Sequence, residues 1–137
     1  MHHITINGNR PDFRVFLDLL YGMDRNVDTD GDSFPVNSRT WSYLYIADRE
    51  SDDPSVEIAA LIEQPKIFSV ESKSERLEEL AALYLFMYCG AMISNSSVTL
   101  SSEQIDALKA KYSVELSRAA VARWHSSSNE DPYPKSA

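Results

Sequence analysis

The sequence predicts an α+β fold: an antiparallel sheet of three to five strands packed against a central buried helix at residues 74–90 and against C-terminal helices. Three observations lead there. Short segments with period-two alternation are separated by brief turns, and strands joined that way pair antiparallel. The run from Leu80 to Ile93 has no polar face, as expected of a helix buried on all sides. After residue 100 the spacing of apolar residues becomes helical.

Taken in order, residues 3–7 alternate and meet Gly8, which predicts a first strand. Pro11 suits the start of a helix, where its missing N–H costs nothing. Phe13, Phe16, Leu17 and Leu20 then recur at helical spacing until Gly22. Residues 23–37 read as a polar loop rich in Asp. Residues 40–47 read as a strand in which Trp41, Tyr43 and Tyr45 alternate with Ser42, Leu44 and Ile46. Both faces are substantially apolar, so the strand is central, covered on both sides or aromatic on an exposed face. Residues 56–63 favour a strand over a helix, because Val56, Ile58, Ala60 and Ile62 share one parity and Glu57 and Glu63 the other. Residues 66–71 give another short strand carrying Phe68 and Val70.

Ser74 opens the central helix, with Glu75, Glu78 and Glu79 near its positive N-terminal end. Residues 98–100 form a small strand or an entry to the next helix. Ser101 and Gln104 match a capping box. Ile105, Leu108, Tyr112, Leu116 and Ala119 run down a helical face, as one long helix or two abutting ones within 102–125. Residues 1–125 thus form a single domain, and the polar stretch 126–137 is expected to be a disordered tail.

Charge is the most informative feature for function. Ten acids and three arginines fall between residues 24 and 63, a surplus of seven of the chain's eight net negative charges. A field so localised favours a positively charged partner. The pI near 4.8 speaks against binding a phosphate backbone, which requires clustered Lys and Arg. The longest apolar run has fourteen residues, too few for a membrane span. The single cysteine, Cys89, fits a reducing, cytoplasmic setting. Its place late in an apolar helix makes it a small buried residue rather than a nucleophile.

Asn26-x-Asp28-x-Asp30-Gly31-Asp32 follows a predicted helix and resembles an EF-hand loop over twelve residues. That resemblance implies calcium held by Asn26, Asp28, Asp30 and Asp32, with Gly31 at the sharp turn. The twelfth position is Asn37 instead of the bidentate Glu, and Pro35 intrudes. The plainer reading is a solvated acidic turn. No other cofactor is expected: zinc spacings of Cys and His are missing from the sequence. Tyr112-x-Val114 and Arg123-Trp124 resemble the C-terminal part of zinc peptidases that cleave phage repressors. The His-Glu-x-x-His motif is missing from the sequence, so no activity is carried over.

The reading is therefore a small acidic protein-binding module, an inhibitor or immunity-type antagonist covering a basic, nucleic-acid-handling protein. Asp28, Asp30, Asp32, Asp48, Asp52, Asp53 and Glu57 would steer association, with Trp41 or Tyr43 as aromatic anchor. Nucleic acid and membrane are not expected partners. The alternatives are a phage or secretion-system assembly component, a calcium module, and an enzyme with dispersed residues. A pocket gathering carboxylates and a histidine would be the mark of the last.

Overall fold

The computed structural model describes residues 1–135, folded as one seven-stranded sheet with four α-helices. The strands are β1 (His2–Ile6), β2 (Val27–Gly31), β3 (Tyr43–Asp48), β4 (Val56–Ala60), β5 (Ile67–Ser72), β6 (Gly90–Asn95) and β7 (Val98–Thr99). The helices are α1 (Arg14–Tyr21), α2 (Glu75–Cys89), α3 (Ser102–Lys111) and α4 (Ser113–Ala120), with a 3-10 turn at Arg123–Ser126. The sheet order is β2-β3-β4-β5-β1-β6-β7, and every neighbouring pair is antiparallel.

The α+β class holds, but the sheet has seven strands where three to five are expected. Two of the extra strands lie in segments without a usable apolar alternation. β2 is Val-Asp-Thr-Asp-Gly and pairs with β3 along its whole length, so residues 27–31 of the expected polar loop are an edge strand. Its acids suit an edge, where charge discourages pairing with another chain. β6 continues directly from α2. Gly90 marks the change, because a Cβ there would collide with the Cα of Phe86 at 2.7 Å. Residues 56–63 resolve as a strand ending at Ala60, and residues 102–125 as two helices broken at Tyr112.

The helices cover one face of the sheet. Ile4, Leu44, Ile46, Val56, Ile58, Phe68, Val70 and Ile93 point to that side and are nearly or fully buried. α2 lies across the centre of the sheet, contacting β1, β6, β5 and β4. Leu80 to Leu83 and Leu85 have no exposed surface, as their all-round apolar setting predicts. The last turn departs from that expectation: Met87 and Tyr88 are 44% and 42% exposed. Trp41 stands just before β3 and turns into the core, where Phe16 and Phe68 meet it edge-on at 6.1 and 6.0 Å. Its indole Nε1 donates to the Pro11 carbonyl at 2.8 Å, so the one polar atom of the ring is satisfied.

The C-terminal segment, expected as a free tail, lies against the helical layer over the residues described. Ser127 Oγ donates to the fully buried Asp12 at 2.6 Å, and Tyr133 sits over the Arg14 guanidinium at 5.1 Å. Arg39 reaches the carbonyls of Trp124, His125 and Ser127. Residues 136–137 of that expected tail lie outside the described residues.

Candidate functional site

The opposite face of the sheet carries no helix. β3 sends Leu44 and Ile46 into the core, which leaves Tyr43, Tyr45 and Ala47 on this uncovered side, half-buried among their neighbours. Register then fixes a lateral row across four strands: Asp30 opposite Tyr45, Tyr45 opposite Glu57, and Glu57 opposite Glu71. With strands spaced ~4.8 Å apart, the row is about 14 Å long. Beside it runs a second row of smaller groups, Tyr43, Ala59, Ser69, His3 and Ser94, in the same register across β3, β4, β5, β1 and β6.

The electrostatics of the first row are one-sided. Asp30, Glu57 and Glu71 are exposed, and none forms an ion pair among the described residues. Glu57 Oε2 accepts from the Tyr43 hydroxyl at 3.2 Å, and Asp30 Oδ1 from the N–H of Gly31. Burial, and then the Glu57 carboxylate, push the Tyr43 phenol above its ordinary range, which keeps it a proton donor. Like charges directly opposite on neighbouring strands, as at Glu57 and Glu71, oppose pairing. The row is therefore a strip of aromatic and anionic surface with no internal counter-charge.

The other expected site residues divide. Asp28 is on the same face, exposed, and bound to Arg49 at 3.0 Å. Asp52 and Asp53 lie exposed on the β3–β4 turn. Asp32 is occupied locally, accepting from Ser42 N at 2.8 Å, Tyr43 N at 3.1 Å and the Ser42 hydroxyl. Those donors outweigh partial burial and hold its carboxyl below the usual range. Two members of the set are interior groups that a partner does not reach. Trp41 is 1% exposed, and Asp48 is 7% exposed on the helical side, bound to Arg25 at 2.6 Å. Burial works to raise the Asp48 carboxyl, but Arg25, Ser51 and the Glu50 N–H overcome it and lower it.

The calcium reading meets a geometric difficulty. A twelve-residue loop would wrap Asn26, Asp28, Asp30 and Asp32 around one point, whereas residues 27–31 are an extended strand. Gly31, the sixth position, is explained otherwise: a Cβ there would strike the Tyr43 backbone carbonyl. Among the described residues, no group of three or more His, Cys, Asp or Glu side chains is arranged to hold a metal ion. Cys89 is buried, and burial pushes its thiol up to about 11 despite Arg10, so it is no nucleophile at neutral pH.

Sequence reasoning read Tyr45 as part of an aromatic face, core or exposed, and missed Glu71, which follows from strand parity once the register is known. It also missed a second cluster on the helical side, where His2, Glu78 and Glu79 meet. His2 is 2% exposed, and its Nδ1 lies 2.6 Å from Glu78 Oε2. The two are 76 residues apart, and only the placement of β1 beneath α2 joins them.

No family model, no curated protein and no solved structure matches this chain. Among the described residues, no helix is long and apolar enough to cross a membrane.

Proposed function

We propose that this protein is an acidic protein-binding module whose open sheet face covers a basic surface on another protein, as an inhibitor or immunity-type antagonist does. The observation that carries the reading is the row Asp30–Tyr45–Glu57–Glu71. Three carboxylates and a tyrosine share an uncovered β surface without a cation of their own. A partner's Arg or Lys between Glu57 and Glu71 would relieve their repulsion and gain charge-assisted hydrogen bonds. Tyr43 and Tyr45 add rigid amphipathic area at small entropic cost. Asp28, Asp52 and Asp53 sit at the periphery, where they accelerate encounter more than they strengthen the complex.

The test is capture from a lysate of the source organism, with identification of the bound protein and surface plasmon resonance on it. Wild type is compared with Glu57→Lys/Glu71→Lys, and with Glu103→Lys on α3 as the control. The expected result is a basic partner whose association slows several-fold between about 50 and about 500 mM salt. The double reversal on the sheet face should abolish binding, and the α3 control should keep it. A partner held equally by all three proteins, or indifferent to salt, removes the open face and the steering mechanism.

A further inference from the structure

The cluster at His2 opens into a cavity of about 380 Å³ on the helical side of the sheet. Its walls are His2 and Asn95 from β1 and β6, Glu79 from α2, Val98 and Leu100 from β7 and the segment after it, and Gln104, Ala107 and Leu108 from α3. That size lies in the range of small-molecule sites, and the mixture of an apolar wall with a few converging polar groups is their usual chemistry.

The polar groups are unevenly satisfied. Glu79 Oε1 takes both the Tyr112 hydroxyl at 2.6 Å and the Lys111 ammonium at 3.1 Å. Its Oε2 has no donor among the described residues. Partial burial works to raise this carboxyl, but Tyr112 and Lys111 prevail and hold it below the ordinary range, so it is charged at neutral pH. The His2 ring directs Nδ1 at Glu78, which in turn accepts from the Ser72 N–H at 3.2 Å. The other ring nitrogen, Nε2, has no partner among the described residues. A charged carboxylate with one oxygen unused in the wall of the cavity favours a ligand that donates hydrogen bonds and carries positive charge.

We propose that this cavity binds a small primary alkylammonium ligand, its N–H groups donating to Glu79 and its short chain lying on Val98, Leu100 and Leu108. A carboxylate would meet the like charge of Glu79, and Lys111 is already bound to Glu79. A neutral alcohol offers a single donor and no charge. The site is on the opposite side of the sheet from the proposed partner surface, so the two proposals stand or fall separately.

The probe is hexylamine, titrated into the isotopically labelled chain to about 10 mM and followed by amide shifts, with hexanoate and 1-hexanol in parallel. The expected result is saturable shifts at Asn95, Leu100, Gln104 and Leu108 for the amine alone. Glu79→Gln should weaken binding by at least about ten-fold, because it removes the charge and keeps the shape. Ala107→Trp, a substitution at an exposed helix position, should fill the cavity and abolish the response in a protein whose spectrum shows it folded. If Glu79→Gln does not fold, Ala107→Trp decides alone. Absence of shifts with hexylamine, equal response to hexanol or hexanoate, or binding that survives Ala107→Trp overturns the proposal.

Discussion

Gly31 shows how one residue type can carry two readings. In the sequence it stands where a calcium loop needs a sharp turn; in the fold it lets β2 approach the Tyr43 carbonyl on β3. The two readings make different predictions. Gly31→Ala should destabilise the protein by about 1–3 kcal/mol, the usual cost of forcing atoms into a packed contact. Denaturant melts should show the same loss with and without millimolar calcium. A loss that appears only with calcium present would restore the cation loop. Cys89 is the other position where burial decides chemistry. Its raised thiol should leave it unreactive toward a disulfide probe at pH 8 in the folded protein, and it should react at once in denaturant.

Elements were legible where their stabilising contacts are local. The capping box is complete: Ser101 Oγ accepts from Gln104 N at 3.2 Å, and Gln104 Oε1 from Ser101 N at 2.8 Å. Ser101→Ala should therefore cost about 1 kcal/mol, read as a lowered denaturation midpoint with unchanged slope. α2 announced itself through its apolar run, and Ser74 caps it as expected, accepting from Leu77 N at 3.2 Å. β2 and β6 were hidden because their stability is borrowed. β2 holds one Val among polar residues and exists by pairing with β3. β6 exists because β1, from the far end of the chain, inserts between it and β5. The candidate sites divide the same way. The acidic strip was half visible, since Asp30, Glu57 and Tyr43 lie in the charged stretch, and Glu71 joins them only through register. The His2–Glu78 contact spans 76 residues, and no local spacing encodes it.

The whole molecule separates its carboxylates by role, and acid should reveal the separation. Asp30, Glu57 and Glu71 on the open face have no ion pair among the described residues, whereas Asp48 and Glu79 are engaged by cations and hydroxyls inside the structure. Asp48 is held below its unfolded value, so the stability it contributes is complete above that value and is lost as pH falls through the folded one. Asp18 has the opposite sign. Burial raises its carboxyl, with Trp124 and Arg123 opposing, so its ionisation costs stability at neutral pH and the cost disappears as it protonates. Asp48→Asn should therefore lower stability by about 1.5–3 kcal/mol at pH 7, the range for hydrogen bonds to a charged group. Its deficit should close as pH drops below about 4. Asp18→Asn, whose amide oxygen can still accept from Trp124, should be more stable than wild type at neutral pH and converge with it in acid. Thermal melts between about pH 7 and about pH 2 check both. Two variants with parallel pH profiles would mean that neither buried carboxylate carries the linkage.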